Sequence, residues 1–318
     1  MRRVPATVQG RPSPDPLGPP ARSAPRRLDG GGHPRSGPYP SPSGDRQDEP
    51  VAPRRNTARD RSRRVLSQNF LADPAVVARM VRAVRPGPDD LLLEVGAGRG
   101  RLTRPLAARC GRLIAYEVDP AVLPELTAAC APLPNVEVRA ADFLTASPPA
   151  GPFSVAGNIP WSLTAAVVRW CLAAPGLRTA TLLTQLDYAR KRTGDHGRWS
   201  RLTVLTWPEY HWRLAGRVPR TAFRPVPGVD GGILRLERRT TPLVAPAALP
   251  AYRRMVELGF GGVGGSLAAS LRAGHPRPRV DGALRAARIA PDTPVGLVWP
   301  EQWLVLFRLL HAPLNRRA

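Results

Sequence analysis

Four stretches of the chain hold residue types whose spacing suits chemistry on a nucleoside. The run from Leu91 through Glu94-Val95-Gly96-Ala97-Gly98-Arg99-Gly100 reads as a buried strand entering a glycine turn and then a helix. Such a turn lets backbone approach a ligand closely at the carboxyl end of a strand, where open α/β sheets bind their ligands. A dinucleotide site would carry Gly-x-Gly-x-x-Gly. Here the third glycine comes one residue early and Arg101 stands in its place, which tilts the reading away from NAD. Glu117 closes the next strand, where a carboxylate can accept from the two hydroxyls of a ribose, and Asp142 follows the third strand, placed for an adenine amino group. Either acid alone reads as well as a helix cap or a loop carboxylate. Gly, Glu and Asp at three successive strand ends favour a nucleoside ligand, and S-adenosylmethionine fits: it has the nucleoside and the ribose diol but no pyrophosphate.

The fourth strand end is more specific. Gly157-Asn158-Ile159-Pro160-Trp161 gathers an amide side chain, carbonyls held by a proline and an aromatic face. Chemistry on an exocyclic base amine needs that combination. The adenine N6 lone pair is delocalised into the ring, so the nitrogen is a poor nucleophile until acceptors hold its hydrogens and let it pyramidalise. Asn158 Oδ1 and a backbone carbonyl can be those acceptors. The base must also leave its stack and lie on an aromatic surface, a role for Trp161. The competing reading is a plain strand-end turn with a core tryptophan.

Positioning these residues takes a parallel sheet. Asp73-Pro74 opens a helix with Val76, Val77, Met80, Val81 and Val84 on one face. Strands are expected at Leu91–Val95, Leu113–Glu117, Val136–Arg139, Phe153–Ala156 and Thr179–Thr184, with helices at Arg101–Cys110, Pro120–Ala131 and Ser162–Ala173 between them. This alternation with short connections predicts a doubly wound, mostly parallel sheet. Thr203–Thr206, Tyr210–Leu214 and Gly232–Leu236 are expected as further strands, the sheet ending in an antiparallel pair. The division is a tail over residues 1–60, a catalytic domain over 61–239 and a small helical domain over 240–318. The tail holds 13 Pro and 7 Gly with almost no apolar pattern, a composition that cannot offset chain entropy, so disorder is expected there.

The 318 residues carry a formal net charge of +23, of which only +5 falls in residues 1–60. The remainder points to a folded surface facing a polyanion, most plausibly nucleic acid, against the alternative of a merely solvated basic surface. Arg190, Lys191 and Arg192 are expected to contact RNA, whereas the nearby Trp199, Trp207, Tyr210 and Trp212 are expected in the core. Arg272, Arg277, Arg279, Arg285 and Arg288 can reach phosphates or simply solvate helices. The longest uncharged run, Phe143 to Val168, is broken by four prolines, so no membrane span is expected, and no apolar stretch follows the N-terminus to make a secretory signal. Cys110, Cys130 and Cys171 lack metal or redox spacing and fit a reducing cytosol, and the five histidines give no metal site.

Together, Ser67-Gln68-Asn69-Phe70-Leu71-x-Asp73, Glu94 to Gly100, Tyr116-Glu117-Val118-Asp119, Ala141-Asp142-Phe143, Asn158 to Trp161, Ala189 to Gly194 and Arg224 to Asp230 resemble the Erm family. These are the 23S rRNA adenine N6-methyltransferases behind macrolide, lincosamide and streptogramin B resistance, related to the small-subunit rRNA adenine dimethylases. The resemblance, over about residues 63–310, implies S-adenosylmethionine as cofactor, with Asn69, Leu71, Gly96, Gly98, Glu117, Val118, Asp142, Phe143 and Asn158 at its site. It implies Asn158, Trp161 and Phe223 around the target adenine. It further implies a cytoplasmic monomer acting on protein-poor or precursor 23S rRNA. The family commonly has Tyr where this chain has Trp161. The larger indole keeps the stacking face but changes the space around N6, leaving mono- and dimethylation both open.

Overall fold

A computed structural model of the chain describes residues 69–195, 197–262 and 266–311. The expected disordered tail over residues 1–60, and Ser67 and Gln68 of the first motif, lie outside the described residues. The chain enters with a two-residue strand β1 (Phe70–Leu71) and helix α1 (Pro74–Val84). Then β2 (Leu91–Val95), α2 (Thr103–Ala107), β3 (Arg112–Glu117), α3 (Leu123–Cys130), β4 (Val136–Ala140), β5 (Phe153–Asn158), α4 (Thr164–Ala173) and β6 (Leu177–Gln185) follow in near alternation. Beyond them come α5 (Leu186–Thr193), α6 (Arg201–Thr206), β7 (Tyr210–Val218), the short β8 (Phe223–Arg224) and β9 (Gly231–Arg238). Helices α7 (Leu249–Gly261), α8 (Leu267–Arg272), α9 (Arg277–Ala286) and α10 (Pro300–His311) complete the described chain.

One seven-stranded sheet has the order β4-β3-β2-β5-β6-β9-β7, and β1 and β8 form a separate antiparallel pair. Strands β2 to β6 pair in parallel, while β9 runs antiparallel to both β6 and β7. A parallel sheet must be covered on both faces, which is why β2 reads as an almost unbroken apolar run. Leu92 packs with Met80, Leu106 and Leu126 on one face. Leu93 and Val95 pack with Val167, Val168 and Cys171 on the other. The second cluster continues without a break into the C-terminal helices through Tyr252, Leu271, Leu284, Trp303 and Leu306.

Local signals act as expected at the first helix: Asp73 Oδ1 accepts from Ala75 N at 2.8 Å and Pro74 takes the first helical position. Its other end is closed from afar. Arg235 Nη1 on β9 donates to the carbonyls of Ala83 and Val84 at 2.6 and 3.0 Å, satisfying orphan acceptors of α1. One expected element is corrected. Thr203–Thr206 is not a strand but part of helix α6, because the Ser200 hydroxyl accepts from Thr203 N at 3.2 Å and caps it. A short apolar run rich in β-branched residues carries no period that separates the two.

Candidate functional site

The parallel strands deliver their carboxyl ends to one side of the sheet, where a cleft opens to solvent. Its floor is the turn after β2, where Gly96, Gly98 and Gly100 take φ of +67°, +56° and +74°, values that side chains rarely adopt. The cleft is lined by Asn69, Gly96, Gly98, Glu117, Val118, Asp142, Phe143 and Asn158, so most of the residues expected at the cofactor meet there. Leu71 does not line it. Its side chain is 5% exposed in the apolar cluster below. Phe70 faces the cleft instead. Alternation along a strand puts these neighbours on opposite sides, a signal that could have identified Phe70.

Glu117 is only 5% exposed and is held by the backbone of the site itself. Its Oε2 accepts from Gly98 N at 2.7 Å, and its Oε1 accepts from Val118 N at 2.8 Å and Asp119 N at 2.9 Å. A carboxylate has about four acceptor positions, so three are used and one at Oε2 remains for a ligand hydroxyl. Asp142 has the capping role weighed for it, Oδ1 accepting from Leu144 N at 2.9 Å to close a 3-10 turn, and Oδ2 takes no part in that cap. Exposed Val118 and buried Phe143, set edge-on against Tyr116 at 5.4 Å, give the cleft apolar walls between the two acids. Apolar walls with acids spaced along the strand ends fit the adenosyl part of S-adenosylmethionine.

Beneath the turn lies Glu94, 1% exposed, with Oε2 lacking any hydrogen-bond partner. Burial, reinforced by the nearby charge of Glu117 and opposed by Thr103, pushes its carboxyl up to about 8, so it is largely neutral at pH 7.

At the end of β5, Asn158 Nδ2 donates to Asn69 O at 2.7 Å. Pro160 O accepts from Leu163 N at 2.9 Å. Trp161 is half-buried and is not among the residues that line the cleft. Phe223 is 0% exposed and makes a T-shaped contact with Trp161, ring centroids 5.6 Å apart, so its side chain presents no open surface in this structure.

The Arg-Lys-Arg run occupies the last turn of α5. Arg190 pairs with Asp195 at 2.8 Å, and Arg192 donates to Ser200 Oγ at 2.8 Å with its guanidinium over the Tyr188 ring at 4.8 Å. Lys191 alone of the three is exposed. Trp199, Trp207, Tyr210 and Trp212 are buried. Among the described residues no group of three His, Cys, Asp or Glu could hold a metal ion, and no helix is long and apolar enough to cross a membrane.

The chain is similar to proteins of known activity. The family model described as ribosomal RNA adenine dimethylase matches residues 59–312. An rRNA adenine N-6-methyltransferase of Streptomyces fradiae is 58% identical over 260 residues, 81% of this chain and 82% of that one. The mycinamicin-resistance protein MyrB of Micromonospora griseorubida is 37% identical over 256 residues, 80% of this chain and 81% of that one. The crystal structure of the 23S rRNA methyltransferase ErmE superposes with a TM-score of 0.74 at 50% identity, covering 76% of this chain and 99% of that one. A family-model match over most of the chain, joined to these likenesses, leads to one conclusion: the chain belongs to the ribosomal RNA adenine dimethylase family.

Proposed function

We propose that this chain transfers methyl groups from S-adenosylmethionine to N6 of one adenine in 23S rRNA and thereby protects the ribosome from macrolide, lincosamide and streptogramin B antibiotics. The observation that carries the reading is Asn158, at the lip of the cleft, with its Nδ2 tied to Asn69 O and its Oδ1 left to accept from an amine. The likeness to ErmE supports the large-subunit substrate, and the likeness to MyrB supports the resistance outcome.

The bound cofactor supplies an electrophilic methyl carbon activated by the sulfonium. Everything else falls to the chain. Glu117 Oε2 and Asp142 Oδ2 hold the ribose and adenine ends, and Val118 and Phe143 exclude water between them. Asn158 Oδ1 takes one N6 hydrogen of the target. A backbone carbonyl of the Asn158 to Pro160 turn takes the other. Holding both hydrogens lets N6 pyramidalise toward the methyl carbon, and the proton leaves to water after transfer, so no general base is required. Trp161, backed by Phe223, offers the face on which the unstacked base rests. Lys191 and the exposed Arg198 are the cations presented to RNA phosphates near α5.

The test is incubation of the full chain with labelled cofactor and protein-free 23S or 16S rRNA, followed by mapping of the modified nucleotide. A single labelled adenine in the peptidyl transferase region of 23S rRNA is expected. Label confined to 16S rRNA would replace this reading with that of a small-subunit dimethylase.

A further inference from the structure

A carboxamide has two nearly isosteric ends, and a flip of Asn158 would exchange its acceptor for a donor. A donor aimed at N6 would repel the amine hydrogens, so only one flip state is productive. We propose that the carbonyl of Asn69 selects that state by accepting from Asn158 Nδ2, and that Arg99 and Arg101, which fasten the segment carrying Asn69, are positioning residues for the reaction. The inference rests on the methyl-transfer reading above and extends it to Arg99 and Arg101, which do not line the cleft.

The segment is fastened on three sides. Below, Leu71 is buried in the core and pairs with Phe223, while Phe70 pairs with Arg224. Behind, Ala72 N and Asp73 N both donate to Ala222 O, at 2.8 and 3.3 Å. Toward the glycine turn, the Phe70 ring lies so close that a Cβ on Gly98 would be 3.2 Å from it, and the Arg99 guanidinium sits 5.5 Å from the ring centroid. Arg101 Nη1 donates to Ala72 O at 3.2 Å, and Arg99 is steadied by Glu125 at 3.0 Å. A carbonyl so held is an acceptor only, and can be satisfied by Nδ2 but not by Oδ1. Because Asn69 and Phe70 also line the cleft, the cofactor site and the amine acceptor share one support.

The informative variant is Asn158→Asp. It keeps an acceptor oxygen of the same reach and removes the donor, leaving a carboxylate against the Asn69 carbonyl. If the acceptor alone mattered, turnover would be retained. The expectation is a loss on the order of 100-fold at pH 8. Protonation of the new carboxyl restores a donor, so the ratio of variant to wild-type turnover should rise as the pH falls toward 5.5.

A second arm is independent of activity and uses Arg99→Gln with Arg101→Gln, both at exposed positions, so that folding is retained. Its Asn158 carboxamide hydrogens, followed by nitrogen-15 NMR, should exchange faster than in wild type. Its kcat should fall several-fold with KM for RNA unchanged, and restoring Arg101 as Lys should recover part of the loss. A wild-type rate for Asn158→Asp at pH 8, a pH-independent deficit, or unaltered carboxamide exchange in the double variant would each overturn the proposal while leaving the function standing. A wild-type chain inactive on rRNA would overturn both.

Discussion

Removing the Glu117 carboxylate should weaken the protein before any ligand is added. Three backbone N–H groups converge on it, two of those bonds being buried. Hydrogen bonds to a charged group contribute about 1.5–3 kcal/mol each. Glu117→Gln keeps one carbonyl, which can still serve Val118 N and Asp119 N, but turns an NH2 toward Gly98 N. One bond is lost and a buried donor is left unpartnered, a cost of about 2–3 kcal/mol. Glu117→Ala unpairs all three donors. Water entering the open cleft will recover part of this, so roughly 3–5 kcal/mol is expected rather than three times the single loss. At about 2–4 °C per kcal/mol for a unit of this size, the Gln variant should melt about 4–12 °C below wild type without cofactor. Calorimetric titration with S-adenosylmethionine should then show at least tenfold weaker binding as the ribose acceptor goes. Differential scanning calorimetry of the cofactor-free proteins decides the matter. If both variants melt within about a degree of wild type, Glu117 is a ligand contact and not a scaffold, and the reasoning from its three donors is refuted.

Other outcomes follow from single groups. Asn158→Ala should slow methyl transfer by on the order of 100-fold while calorimetry finds cofactor binding largely kept, and near-normal turnover would remove Asn158 from the mechanism. Glu94 has a folded-state pKa raised to about 8 from 4.5, so the folded state binds the extra proton between those values and stability falls as pH rises through them. Denaturant unfolding at several pH values should therefore show Glu94→Gln with a flatter profile and greater stability than wild type at pH 8. Arg235→Met should cost about 2–4 kcal/mol in the same assay, because it leaves the Ala83 and Val84 carbonyls at the end of α1 without their donor. Expressed in a drug-sensitive bacterium, the chain should raise lincosamide resistance with either one or two methyls, whereas strong macrolide resistance needs both. Mass spectrometry of the target fragment beside the macrolide-to-lincosamide ratio reads which of the two Trp161 permits, and full sensitivity despite soluble, cofactor-binding protein would exclude this adenine.

Much of the site was legible because its determinants are local. An apolar run ending in glycine announces the carboxyl end of a buried strand. Once strands and helices alternate, a right-handed parallel sheet brings successive strand ends to one side. Gly96, Glu117, Asp142 and Asn158 could therefore be placed around one ligand from their positions along the chain. Burial of Trp212 and Tyr210 followed equally from alternation on β7. Thr203–Thr206 was misread because a segment that short has no period to measure, and its cap decided it.

Partner choice was not legible, since it depends on atoms that are distant in sequence. Nothing in the Arg-Lys-Arg spelling reveals that Arg190 and Arg192 are occupied by Asp195 and by Ser200 with Tyr188, leaving Lys191 to face outward. Leu71 and Phe223 are apolar residues in motifs tied to the cofactor and the base, yet their pairing across β1 and β8 turns both side chains into the core, where they support the site from behind. The residue types of the site, and the strand ends that bear them, were determined by sequence alone, because local pattern and chain connectivity suffice for that. Only the tertiary structure decided which lone pairs and hydrogens remain for ligand and substrate. A hydrogen-bonding group close to its best partner is satisfied by it wherever that partner lies in the chain, as Asn158 is by Asn69 and Glu117 by Gly98.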